Sequence, residues 1–182
     1  MTAAIRIEIE GKLAFEFDRP LWEAVKWDDD ESYRSGIQAI GAKAIDILAT
    51  VYRSEIHLIE VKDPRGYWRE YRDANPSEKL ADLVAGKVRD TIAGLVYARD
   101  RHPGEHLVVH LKTLLQERAK RPRVVLWLEG IELQPAMATT LTALIEKRLG
   151  WLKPSVLVTS RALWKGLPGV TVRSLTGAPW QG

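Results

Sequence analysis

Residues 44–66, AIDILATVYRSEIHLIEVKDPRG, constrain this chain more than any other stretch. They hold two apolar, β-branched runs, 44–52 and 56–62, separated by Arg53-Ser54-Glu55. Such runs, closed by the turn chemistry of Asp63-Pro64-Arg65-Gly66, predict an antiparallel pair of buried strands joined by a tight turn. Three charged residues are set into them: Asp46 in the first run, and Glu60 and Lys62 at the end of the second. Unpaired charge in a buried strand is costly, so these residues predict partners. A divalent cation carrying a phosphate would partner all three.

The flanking sequence predicts an α/β arrangement. Ile5, Ile7 and Ile9 alternate with polar residues, Gly11-Lys12 follows, and Leu13, Phe15 and Phe17 alternate again. That is the pattern of a β-hairpin with one buried face. Residues 21–40 mix helical spacing with acid and predict one or two short helices. Residues 67–75 read as an exposed loop. From Pro76, apolar residues recur at three- and four-residue steps through Leu80, Val84, Val88, Ile92 and Leu95, which predicts a long helix. His102-Pro103-Gly104 ends it. Further helices are expected over 107–119 and 139–149, and strands over 124–128, 155–159 and 170–172. Strands alternating with helices after residue 76 argue for helices laid on a mixed sheet.

The 182 residues fit one domain, with a hairpin over 1–19 and a frayed tail over 177–182. With no cysteine, disulfides, thiolate zinc sites and thiol catalysis are excluded. A Gly-rich loop followed by Lys-Ser/Thr is missing, and so is a G-x-S-x-G elbow, which excludes a P-loop ATPase and that class of serine hydrolase. The opening MTAAIRIEIEGK has no apolar core of a signal peptide, and no apolar run reaches membrane-spanning length. A cytoplasmic location without membrane partners is the expectation. The net charge of +3 permits a polyanionic partner. Acid gathers at Asp28, Asp29, Asp30 and Glu31, and base at Arg118, Lys120, Arg121 and Arg123; both clusters are also compatible with solvated surface.

Side chains alternate faces along a strand, so Glu60 and Lys62 point the same way. If Asp46 lies on the neighbouring strand, its carboxylate reaches Glu60. Two adjacent carboxylates repel, and a hard cation such as Mg²⁺ or Mn²⁺ relieves the repulsion while accepting phosphate oxygens. It also lowers the pKa of a bound water, and a nearby lysine can orient that water or stabilise the transition state. The structural alternative is a cross-strand ion-pair set with Asp46 capping a strand end.

Asp46 followed by Glu60-Val61-Lys62 in adjacent predicted strands resembles the metal site of the PD-(D/E)XK nuclease superfamily. The resemblance covers roughly residues 20–130 as topology. It implies a restriction-endonuclease-like fold: a helix, a three-stranded antiparallel meander, a helix and a further strand. It also implies metal-dependent hydrolysis of nucleic-acid phosphodiesters, DNA rather than RNA. Asp46 and Glu60 would hold Mg²⁺ or Mn²⁺ with the backbone carbonyl of Val61. An acid from the preceding segment, Glu31, Asp30 or Asp28, would complete the site. Lys62 would act in catalysis, and the following helix would supply a further polar or basic residue to the site, a placement that Lys87 and Arg89 match as nucleic-acid contacts; Arg89 and Asp90 could equally form a structural ion pair. The residue before Asp46 is Ile45, where the family motif has proline. A chain of this size leaves little room for a sequence-reading domain, so low specificity, a homodimer or a partner protein would answer that. The alternative is a catalytically inactive nuclease-like fold serving as a binding or assembly subunit.

Trp68 sits among Tyr67, Arg69, Tyr71 and Arg72, just after Arg65. Aromatics interleaved with arginine can stack on bases and grip phosphates, so Arg65, Trp68 and Arg69 are candidate nucleic-acid contacts. The alternative is a loop packing one aromatic ring on the domain. His106 and His110 have the spacing of two zinc ligands on a helix, but the glutamate of HExxH is missing. They are expected to be surface or capping histidines. Trp127 is expected in the core.

Overall fold

A computed structural model describes residues 4–9, 13–38, 41–63, 75–99, 105–116 and 120–175. Its centre is a five-stranded sheet of order β3-β4-β5-β6-β7. The strands are β3 (Trp22–Lys26), β4 (Ile47–Val51), β5 (Glu55–Lys62), β6 (Arg123–Leu128) and β7 (Ser155–Thr159). β3, β4 and β5 form an antiparallel meander, while β6 and β7 continue the sheet in parallel. Parallel neighbours need crossovers, and helices supply them. α1 (Pro76–Ala98) and α2 (Glu105–Leu115) lie between β5 and β6, and α3 (Pro135–Arg148) lies between β6 and β7.

The two faces of the sheet have different covers. Leu48, Leu58, Val124, Leu126 and Leu128 pack against Leu80, Val84 and Val88 of α1, Leu107 and Leu111 of α2, and Leu141 and Ile145 of α3. Ile47, Ala49, Ile59, Val125 and Trp127 pack on the other face against Ile7, Ile9, Phe15 and Phe17. Those residues belong to a second, three-stranded antiparallel sheet of order β1-β2-β8, with β1 (Ala4–Ile9), β2 (Leu13–Asp18) and β8 (Val170–Ser174). Burial on both faces explains why β4, β5 and β6 read as apolar runs and not as alternating patterns. Trp127 is in the core, its ring edge-on to Phe15 at 5.4 Å.

α1 begins with a capped end. Asn75 accepts a hydrogen bond from Glu78 N–H through its side chain, and Pro76 takes the first turn, where a missing N–H costs nothing. Among the described residues no helix is long and apolar enough to cross a membrane.

Several expectations need correction. Residues 22–26 form a strand, although short helices were expected across 21–40. β3 pairs along its whole length with β4, Trp22 opposite Val51 and Lys26 opposite Ile47, and that pairing overrides the helical spacing. Among the described residues the helical part includes a 3₁₀ turn at Trp27–Asp29 and a π-helical turn at Tyr33–Ile37. These turns fall between the first and second strands of the meander, whereas the resemblance places a helix before all three. The final strand joins the N-terminal hairpin through β2 and makes it a three-stranded sheet. α2 ends at Leu115, short of residue 119, and α3 starts at Pro135, ahead of residue 139. The tail over 177–182 and most of the loop over 67–75 lie outside the described residues.

Gly169 shows how closely the start of β8 meets the rest. It has φ +71°, and an added Cβ would stand 3.1 Å from Leu21 Cδ1 and 3.3 Å from both Asp18 Cβ and Trp22 Nε1. Its carbonyl accepts the Asp18 N–H at 2.8 Å, and the neighbouring Pro168 carbonyl accepts Trp22 Nε1–H at 2.9 Å. Gly169→Ala is expected to destabilise the fold by about 2 kcal/mol through left-handed strain and crowding. Urea denaturation measures this; a loss below about 0.5 kcal/mol would mean that the turn relaxes freely.

Candidate active site

The register of β4 and β5 builds the site. Ile47 pairs with Ile59, so one further step on each strand sets Asp46, at the mouth of β4, opposite Glu60. Directly opposed residues have Cβ atoms about 5 Å apart. Both side chains project to the face covered by helices, as do Leu48 and Leu58. Lys62 follows on the same face, its Nζ 3.0 Å from Glu60 Oε1.

Backbone contacts hold Asp46 in place. Its Oδ2 accepts the Val61 N–H at 2.6 Å, and its carbonyl accepts the Trp27 N–H at 2.9 Å. The C=O and N–H of a strand residue face the same edge, so the Val61 carbonyl is also turned toward Asp46. The bond to Trp27 draws the acidic 3₁₀ turn alongside. Asp28 lies near enough to feel the charges of Asp46 and Lys87.

α1 closes the site from above. Lys87 falls on the stripe of Val84, Val88 and Thr91 that packs onto the sheet. Its Nζ donates to Glu60 Oε1 at 2.7 Å and Oε2 at 2.9 Å, and lies 3.6 Å from Asp46 Oδ1. The helix is fixed over this spot by two further bonds. Thr91 Oγ1 accepts the Ile45 N–H at 3.1 Å, and Asp90 Oδ2 accepts the Lys43 N–H at 3.0 Å.

Burial and like charge dominate the electrostatics. Glu60 is 0% exposed, and its pKa is pushed up to about 7, first by burial and then by the negative charge of Asp46, with Lys87 and Lys62 opposing. Asp28 is also raised, first by burial, with Lys26 opposing and Asp46 and Asp29 adding to the rise. The Lys62 and Lys87 side chains are 22% and 14% exposed, so water reaches the rim of the cluster.

The fit to a divalent cation can be judged from the donors. Asp28 Oδ1 is buried and makes no hydrogen bond. Asp46 and Glu60 face each other, with the Val61 carbonyl turned the same way. Two carboxylates and a carbonyl suit Mg²⁺ or Mn²⁺, which hold several waters and need no full protein cage. Among the described residues no three His, Cys, Asp or Glu side chains form such a cage. The residues present fit the cation as a pair, with Asp28 beside it.

The other candidates fall as follows. Glu31 is exposed, and Asp30 Oδ1 accepts the Ser32 N–H at 2.9 Å. Arg89 is bound to its neighbour Asp90, Nε to Oδ1 at 2.9 Å, with its side chain 69% exposed. Arg65, Trp68 and Arg69 lie outside the described residues. His110 is neither surface nor capping: it is buried, with Nδ1 2.7 Å from Thr50 Oγ1 on β4. His106 has no described side chain. Lys87, expected at the site from the following helix as a nucleic-acid contact, instead pairs with the carboxylates themselves; a lysine on the apolar stripe of α1 was a usable signal for that.

A second charged cluster at the start of β5 also escaped notice. Glu55 Oε1 lies 2.9 Å from Arg123 Nε and 3.2 Å from His57 Nε2, and Oε2 lies 3.3 Å from Lys120 Nζ. His57 is pushed down to about 4, chiefly by burial, and is therefore neutral at pH 7.

No family model matches the sequence, and no solved structure matches it. One local similarity stands out among curated proteins. A stretch of 82 residues is 38% identical to part of a cysteine–tRNA ligase from Neisseria meningitidis serogroup A / serotype 4A (strain DSM 15465 / Z2491). It covers 41% of this chain and 12% of that protein, so this chain spans a small fraction of the relative it resembles.

Glu60 sets a pH dependence with a definite sign. Its folded pKa stands above the ordinary 4.5, so the native state holds a proton that the unfolded chain releases. That stabilisation is full below about pH 4.5 and is lost as pH rises through about 7. His57, lowered from 6.5, acts in the opposite sense as pH falls through about 4, so the wild type alone mixes the two. The difference between wild type and Glu60→Gln isolates the carboxyl. In metal-free buffer, wild-type stability relative to Glu60→Gln should fall by about 3 kcal/mol between pH 4.5 and 7. Urea melts across that range provide the measurement; a flat difference would mean that Glu60 ionises like a free carboxyl.

Proposed function

We propose that this protein is a divalent-metal-dependent nuclease of the PD-(D/E)XK type, cleaving phosphodiester bonds of DNA in preference to RNA. One observation carries the reading. Asp46 and Glu60 oppose each other across β4 and β5 on one face, with Lys62 3.0 Å from Glu60 on the same side. The order of an antiparallel meander, α1, and then β6 parallel to β5 supports it.

Asp46, Glu60 and the Val61 carbonyl would hold Mg²⁺ or Mn²⁺, which when bound lowers the pKa of an attached water and offsets charge gathering on phosphorus. The remaining work belongs to the chain. The Val61 N–H fixes Asp46 Oδ2 and so orients the carboxylate. Lys62 on the exposed rim directs its ammonium at the attacking water or at the developing oxyanion. Asp28 adds negative charge from the 3₁₀ turn. Arg89 presents an exposed guanidinium for the phosphate backbone, and Arg65, Trp68 and Arg69, outside the described residues, remain candidate contacts to the same partner on their chemistry. The preference for DNA follows the resemblance alone; the cytoplasmic setting follows the sequence pattern, and a homodimer or partner protein would supply the sequence reading for which the chain has little room.

A second reading has its own observation. Glu60 has no exposure, and both its oxygens are engaged by lysines. A charge set that closes on itself also suits a nuclease-like fold that has lost turnover and serves as a binding or assembly subunit.

Incubation with supercoiled plasmid and Mn²⁺ separates the readings. The active enzyme nicks the plasmid, and Asp46→Ala and Lys62→Ala each lower the rate by at least about a hundredfold. Nicking that survives both substitutions places the activity elsewhere. No cleavage of any nucleic acid, together with no heat of Mn²⁺ binding, establishes the inactive module.

A further inference from the structure

Lys87 stands where two facing carboxylates would share a cation. Its ammonium touches both oxygens of Glu60, at 2.7 and 2.9 Å, and lies 3.6 Å from Oδ1 of Asp46. It arrives from a different element than either acid, on a helix pinned to residues 43 and 45 by Asp90 and Thr91. The backbone of α1 is therefore held, while the ammonium ends a flexible four-carbon stem. A lysine on the apolar stripe of a helix has little else to satisfy it there, and its side chain is only 14% exposed.

We propose that Lys87 is an internal counter-ion that competes with the divalent cation for the Asp46–Glu60 pair, so that metal binds only as the ammonium leaves both carboxylates. The proposal rests on the reading above in one respect, that this pair takes a divalent cation. The physical reason is like-charge exclusion: an ammonium in hydrogen-bond contact with a carboxylate and a dication on the same oxygens repel strongly at low dielectric. Lys87 is thus a positioning residue. It keeps the two acids together in the metal-free protein and lowers their affinity for metal.

Mn²⁺ binding to wild type, Lys87→Met and Lys87→Arg, followed by calorimetry and by the electron paramagnetic resonance of free Mn²⁺, tests the competition. Lys87→Met should bind Mn²⁺ roughly tenfold tighter than wild type or more, while Lys87→Arg keeps the weak wild-type affinity. Melting in EDTA should be lower for Lys87→Met, and Mn²⁺ should restore it. Folded Lys87→Met that binds no tighter than wild type overturns the proposal and leaves the metal site standing. Failure of both wild type and Lys87→Met to bind Mn²⁺ removes the metal site and this proposal together. If Lys87→Met does not fold, wild type with ¹³Cε-labelled lysine decides the matter, its Lys87 signal assigned by its loss in Lys87→Arg. Saturating Mg²⁺ should shift that signal, and an unmoved signal at saturation overturns the proposal.

Discussion

The site depends on one electrostatic problem, two carboxylates set opposite each other on neighbouring strands under a helix. Asp46 and Glu60 are brought together by strand register, which cannot be relaxed without turning β4 or β5 over. Burial then removes the water that would screen them. Positive charge has to come from elsewhere in the fold, and Lys87 and Lys62 bring it. Docking of α1 and neutralisation of the acids are thus one event. The lysine can reach Glu60 only when Val84, Val88 and Thr91 are seated on the sheet.

β5 carries two buried glutamates, and the contrast between them is informative. For Glu55, burial would raise the pKa, but His57, Arg123 and Lys120 outweigh it, and the carboxyl is lowered. For Glu60, burial is joined by the charge of Asp46, and the carboxyl is raised despite two lysines. One end of the strand sets two cations, Lys120 and Arg123, around a single acid, while the other sets two facing acids against two lysines, Lys62 and Lys87. Perturbation by desolvation together with a like charge is the pattern of functional groups more often than of structural ones. It is the physical basis for the proposal that the end of β5, and not its start, is the functional one.

The layered architecture protects this arrangement. The three-stranded sheet of β1, β2 and β8 seals the face opposite the helices, with Phe15 of β2 and Trp127 of β6 meeting in a T-shaped contact between the sheets. A sheet buried on both faces is stiff, and stiffness holds opposed carboxylates in a fixed relation. The helix-covered face keeps the site at the rim, where Lys62 and Lys87 retain some contact with water.

Local sequence was enough for some of this. β-Branched runs and the turn-forming sequence Asp63-Pro64-Arg65-Gly66 marked β4 and β5, and the three-four spacing from Leu80 to Leu95 marked α1, because periodicity and turn chemistry act over a few residues. The acids and the lysine embedded in those runs also stood out locally, since charge in an apolar strand is visible without a fold. Residues 22–26 misled, because their strand exists only through pairing with β4. The partnership of β8 with β2 joins the two ends of the chain, and no window of sequence contains both. Lys87 meets Glu60 across 27 residues, Asp28 comes beside Asp46 through a backbone bond from Trp27, and His110 is buried against Thr50 across 60 residues. Such contacts arise when a helix settles on a sheet, so tertiary packing alone decided which charges face one another and how far water reaches them.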